Sequence, residues 1–149
     1  MNLRNDLQAK VKFILEPGAP TSTETLWATS LGGSQYQLDN APWYARGVAV
    51  GDVILCRENP EELPTFSEVV HPSGNLTARV FVRKGPERAS VKDRVFKVLE
   101  ALGCSYEGMA DDKGLIAVTI PPTASRAAVV AALDGMEQEE TAFWEAGNF

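Results

Sequence analysis

Pro42-Trp43-Tyr44-Ala45-Arg46-Gly47-Val48-Ala49-Val50-Gly51-Asp52, with the apolar run Val53-Ile54-Leu55-Cys56 directly behind it, is the stretch on which the reading of the fold turns. Aromatics, an arginine and glycines crowd between extended, alternating segments, the composition of a tight connection inside a small barrel. Upstream of it the chain reads as hairpins. Well downstream, strand alternates with helix.

Working back toward the N-terminus, Gln35 to Asp39 and Glu24 to Leu31 are β-prone runs joined by Gly32-Gly33-Ser34, the signal of a hairpin. Before them, Val11, Phe13 and Leu15 alternate with Lys10, Lys12 and Glu16, a period of two that predicts a half-buried strand ended by Pro17-Gly18-Ala19-Pro20. Within and after the opening stretch, Val48 to Val50 and Val53 to Arg57 read as short strands broken at Gly51-Asp52. Thr65 to Val70 returns as another strand beyond a proline-bearing, charged loop. Five or six such strands predict an SH3-like β-barrel or curled antiparallel sheet over residues 1–73.

Past the turn at His71-Pro72-Ser73-Gly74-Asn75, Leu76 to Arg83 alternates strictly, with Leu76, Ala78, Val80 and Val82 on one face. Gly85-Pro86 breaks that strand. Ser90 and Asp93 then have the spacing of a capping box, and Val91, Val95, Val98, Leu99 and Leu102 recur at helical intervals up to Gly103. Cys104 to Glu107 and Gly114 to Ile120 predict two strands, Ala124 to Leu133 a helix ended by Asp134-Gly135, and Thr141 to Glu145 a last strand. The order β-α-β-β-α-β predicts a ferredoxin-like half over residues 74–149, sharing an interface with the first half. The chain is thus expected to be α+β.

The 149 residues, 44% of them hydrophobic, suffice for one domain or two small ones. Fourteen basic against 20 acidic residues leave a formal charge of −6. That balance argues against nucleic acid and is compatible with a basic protein partner. Met1 to Leu7 lacks the apolar core of a secretory signal, and no segment approaches the roughly 18 to 20 apolar residues of a membrane span, so the protein is expected in the cytoplasm, with no membrane partner. Cys56 and Cys104 fit buried, reduced thiols.

One histidine and two distant cysteines cannot supply a zinc site, and Asp111-Asp112 lacks the spaced carboxylates of a calcium loop. Neither phosphate-cradling glycine motif occurs, so no metal and no cofactor is expected. His71, with Glu68 or Ser73 beside it, is the one route to histidine chemistry, and no Gly-x-Ser-x-Gly elbow accompanies it. The chain is therefore expected not to be an enzyme. Trp43, Tyr44 and Arg46 are the residue types of binding hot spots, and Glu137, Glu139 and Glu140 form an acidic cluster. Structural uses fit the same residues: Trp43 closing one barrel end, Arg46 pairing with Asp52 or capping a turn, the glutamates in a solvated loop. Arg79 and Arg83 share their strand face with Thr77 and Phe81, either a binding face or the side turned toward the first half.

Ser22 to Trp27, Leu38-Asp39-Asn40, Ala45-Arg46-Gly47, Gly51-Asp52-Val53, Ser73-Gly74, Leu102-Gly103-Cys104 and Trp144-Glu145 together resemble the bacterial family catalogued as domain of unknown function 4265. The resemblance spans nearly the whole chain and implies a small soluble bacterial protein. It brings no reaction or catalytic residue with it. The functional expectation is a non-enzymatic binding protein, immunity-type or regulatory, that occludes a basic effector through Trp43, Tyr44, Arg46, Glu137, Glu139 and Glu140. The alternative is a small-molecule sensor using the ferredoxin-like sheet face or the cleft between halves.

Overall fold

A computed structural model describes residues 7–109 and 113–149. The Asp111-Asp112 pair weighed above as an oxygen-ligand site lies outside the described residues. The chain divides into two compact units, Met1–Asn75 and Leu76–Phe149.

In the first unit, β1 (Gln8–Ile14), β2 (Thr23–Gly32), β3 (Gln35–Leu38), β4 (Val53–Arg57) and β5 (Thr65–His71) form a closed barrel in sequence order. Neighbours in sequence pair antiparallel, and a parallel contact at Lys12 and Thr65 closes the ring. There the Lys12 N–H donates to the Pro64 carbonyl at 2.8 Å. Alternation sends Val11 and Phe13 of β1, Leu26 and Ala28 of β2, and Ile54 and Cys56 of β4 into the core. The hairpin of β2 and β3 turns through Gly32, Gly33 and Ser34, all at positive φ, a conformation that glycine adopts without strain.

Val48 to Val50 does not form the expected strand: residues 39–52 carry no ladder, although Ala45, Val48 and Ala49 are buried. Apolar composition there reflects burial. Side-chain carboxylates take several of the segment's N–H groups instead, as described below.

The second unit comprises β6 (Leu76–Val82), α1 (Arg88–Ala101), β7 (Ser105–Gly108), β8 (Leu115–Ile120), α2 (Arg126–Gln138) and β9 (Ala142–Ala146). Its sheet has the order β7-β8-β6-β9, every pair antiparallel, which is the ferredoxin-like arrangement expected from the element order. Ala78, Val80 and Val82 from β6 and Ile116, Val118 and Ile120 from β8 meet Val91, Val95 and Leu99 of α1 and Val129 and Leu133 of α2 in one core. Both helices therefore cover the same sheet face.

Each helix departs from its sequence reading at one end. The Ser90/Asp93 capping box does not form, because α1 begins at Arg88 and Ser90 already lies in the first turn, its hydroxyl donating to the Glu87 carbonyl at 2.9 Å. At the other end of α1, the Cys104 N–H reaches the Leu99 carbonyl and the Gly103 N–H the Glu100 carbonyl, with Gly103 left-handed. Helix α2 starts where Ser125 accepts from the Ala128 N–H, but it continues through Asp134-Gly135 to Gln138. Gly135 keeps a negative φ there, while half-buried Met136 packs on the core beyond it. Glu140 ends the segment in the left-handed region at φ 58°, and Thr141 binds back to the Met136 carbonyl.

Candidate functional site

Glu24 projects from β2 with only 8% of its surface exposed. One of its carboxylate oxygens accepts from the Trp43 N–H at 2.6 Å, the other from Tyr44 at 3.0 Å and Ala45 at 2.8 Å. Three consecutive backbone donors thus converge on one buried anion, which satisfies donors that a strand would have paired. Trp43 and Tyr44 are half-buried above this carboxylate, and Arg46 is exposed.

Asp52 holds the far end of the same segment. Its oxygens accept from the Ala49 N–H at 2.9 Å and from the Ser73 N–H at 2.8 Å. The Ser73 hydroxyl and the Asn75 amide each donate to the Val50 carbonyl at 2.9 Å. Gly51 sits among them at φ +85°, where an added Cβ would lie 3.1 Å from that of Ser73. The Ser73 hydroxyl, the nearest to His71 in sequence, is therefore committed to backbone, and Glu68 and His71 themselves are exposed on β5. This arrangement braces a connection and does not align a nucleophile with a base.

From the barrel core, the Tyr36 hydroxyl donates to exposed Glu58, just past β4, at 2.6 Å. Burial, reinforced by the Glu58 carboxylate, pushes Tyr36 up to about 12; burial and then the same carboxylate push the Cys56 thiol up to about 12. Burial also raises Cys104. Both thiols stay protonated at neutral pH, the opposite of what a nucleophilic cysteine requires. Among the described residues, no group of three or more His, Cys, Asp or Glu side chains is placed to hold a metal ion.

In the second unit, α1 and α2 leave between them an open groove of about 280 Å³, walled by Val91, Val95 and Val98 on one side and Ala131, Ala132 and Met136 on the other. The small alanines keep it open. Arg94 and Glu139 stand on its rim. Glu137, Glu139 and Glu140 are exposed around the end of α2, the last turn of which carries no basic residue. Carboxylates there face the negative end of the helix dipole, which disfavours them by a few tenths of a kcal/mol up to about 1 kcal/mol each. The fold thus gains nothing from this cluster, and a cation docked against it would relieve the repulsion.

The six residues singled out in the sequence therefore belong to different units: Trp43, Tyr44 and Arg46 to the barrel, Glu137, Glu139 and Glu140 to the helical unit. On the sheet face away from the helices, Arg79 is buried with its guanidinium 2.8 Å from Glu145, while Phe81 is exposed. Sequence reading missed Glu24, because its three partners lie about twenty positions downstream. It also missed Phe143 and Leu115 beside Phe81, which only strand register brings together, and Arg88 at the start of α1, whose guanidinium lies over the Phe81 ring.

A family model described as a domain of unknown function (DUF4265) matches residues 24–144. No curated protein matches the chain. A hypothetical protein from Neisseria gonorrhoeae, described as a novel crystal structure, is similar with a TM-score of 0.75 at 13% identity, over 94% of this chain and 94% of that one. At such identity the likeness is one of fold. Among the described residues, no helix is long and apolar enough to cross a membrane.

Proposed function

This chain belongs to the DUF4265 family, and we propose that it is a non-enzymatic, cytoplasmic protein-binding module, an immunity-type or regulatory protein that occludes a basic effector. The observation that carries this reading is the groove between α1 and α2, apolar along its walls, with Glu139 at its rim and Glu137 and Glu140 next to it in the chain at the end of α2, where the helix itself disfavours carboxylates. An amphipathic basic segment has the matching chemistry: apolar side chains for the walls and lysines or arginines for the glutamates. The net charge of −6 steers such a partner toward the chain. Commitment of Glu24, Asp52, Ser73 and Asn75 to backbone supports a scaffold over a catalyst. Trp43, Tyr44 and Arg46 offer a further contact surface on the barrel.

The test is capture from native-cell extract on the tagged protein at low salt, followed by a salt gradient. A basic protein should be retained in stoichiometric amount and released as salt rises. A variant with Glu137, Glu139 and Glu140 changed to Lys should lose it. Absence of any stoichiometric partner, or retention undiminished by the charge reversal, overturns the proposal. The small-molecule alternative is carried instead by a metabolite that raises the melting temperature by mass action in a thermal-shift screen while capture retains no stoichiometric protein.

A further inference from the structure

The helix-free face of the second unit carries a strip of apolar side chains across three strands. Register pairs Phe81 of β6 with Leu115 of β8 on one side and with Phe143 of β9 on the other, so the three project from the same face. Phe81 is 45% exposed, a cost that the fold does not require of a central strand. Two guanidinium groups flank the strip: that of Arg83 lies 5.5 Å from the Phe143 ring centre and that of Arg88 6.0 Å from the Phe81 ring centre. Position rather than chance holds Arg88 there, since its Nε donates to the Arg83 carbonyl at 3.3 Å, and Gly114 leaves room for it, an added Cβ lying 3.1 Å from the guanidinium.

Exposed rings beside arginines suit a ligand that is flat and apolar in one part and anionic in another. From this juxtaposition of Phe81 and Phe143 with Arg83 and Arg88, we infer that the sheet face of the second unit binds a free nucleotide, its base stacked on Phe81 and its phosphate held by the two guanidiniums. Base-on-ring stacking is sequence-tolerant and contributes substantially to affinity, and arginine forks match phosphate oxygens. A single phosphate needs only this local positive charge. A polymer would meet the field of a chain with net charge −6, which is why the occupant is a mononucleotide and not a nucleic acid strand. The inference stands apart from the protein-binding groove, which lies on the other face of the sheet and uses none of these side chains.

Calorimetric titration of the full chain with the four common nucleoside monophosphates, the matching nucleosides, inorganic phosphate and a short single-stranded RNA tests it. At least one monophosphate should bind saturably, its nucleoside and inorganic phosphate each about ten-fold more weakly or worse. Phe81→Ala should weaken the monophosphate about ten-fold, while Arg83→Gln weakens the monophosphate and leaves the nucleoside unchanged. Both positions are exposed, so the variants should keep the parent melting temperature, and Phe81→Leu serves as a second ring-free variant if the alanine form does not. No saturable binding of any monophosphate overturns the inference. So does equal affinity for inorganic phosphate, binding undiminished by the ring-free variants, or RNA bound more tightly than its monomers. Charge reversal at Glu137, Glu139 and Glu140 should leave nucleotide affinity unchanged, so that each reading can fail alone.

Discussion

In the barrel unit, the connection between β3 and β4 packs against the core without a ladder, and two carboxylates, Glu24 from β2 and Asp52 at its own far end, accept several of its N–H groups. In the unit of β6 to β9, helices and strands satisfy their own backbone, and the core between them is built from Val, Leu, Ile and Ala. The first unit is therefore specified by a few irreplaceable polar contacts. The second rests on many exchangeable apolar ones. Loss of one side chain should be felt differently in each: an anion site fails outright, whereas a cavity can partly close.

The sharpest test of that contrast is Glu24→Ala against Leu99→Ala. Removing the carboxylate orphans three N–H groups, each worth roughly 1 kcal/mol or more when left buried and unmade, so Glu24→Ala should lose about 4 kcal/mol in urea unfolding. Leu99, fully buried in α1, should lose about 3 kcal/mol. If Glu24→Ala costs less than 1 kcal/mol, the carboxylate does not organise the connection and the contrast fails. Glu24→Gln, which keeps an acceptor oxygen, should fall between the variant and the parent.

Alkaline titration separates the units by their cores. In the folded barrel, Cys56 and Tyr36 are pushed up from 9.0 and 10.0 respectively, each to about 12, so the unfolded chain releases those protons first. Their stabilisation is complete below pH 9 and is lost as pH rises toward about 12, by up to about 1.4 kcal/mol per pH unit for each group. Cys104 adds a loss of the same sign from the second unit. Cys56→Ala should flatten the fall above pH 9 in equilibrium unfolding, and an unchanged slope in a Cys56→Ala/Tyr36→Phe double variant would place the alkaline sensitivity outside the barrel.

The smallest expected effect is favourable. Gly135→Ala should stabilise α2 by about 0.5–1 kcal/mol in thermal unfolding, because Gly135 is helical and an added Cβ meets nothing within 4 Å. A helix ended by Gly135, as Asp134-Gly135 suggests in sequence, would instead be destabilised. The sign alone decides.

What could be read beforehand follows from the same contrast. The alternation of Leu76 to Val82 and the helical spacing of Val91, Val95 and Leu99 are local signals, and they located β6 and α1 to within a few residues. The glycine pair at Gly32-Gly33 likewise announced its hairpin. Val48 to Val50 misled because burial without pairing has the same composition as a buried strand: Asp52 close by reads as a turn residue rather than an acceptor, and Glu24 lies about twenty positions upstream. Gly135 misled because a lone glycine marks a helix end or an interior position according to packing further on. Of the candidate surfaces, the acidic residues and Phe81 with Arg83 were visible, but not the groove or the aromatic strip, both of which exist only once elements from distant parts of the chain lie side by side.

The seam between β1 and β5 sets a timetable. During synthesis β1 leaves the ribosome first, yet its closing neighbour Thr65 follows only after three further strands, so the ring stays open through most of its own translation. Until then β1 has an unpaired outer edge, the kind of surface that chaperones hold and that neighbouring nascent chains can recruit. Yield in the cell should accordingly depend on how promptly that last parallel contact is made, more than on the depth of the finished core.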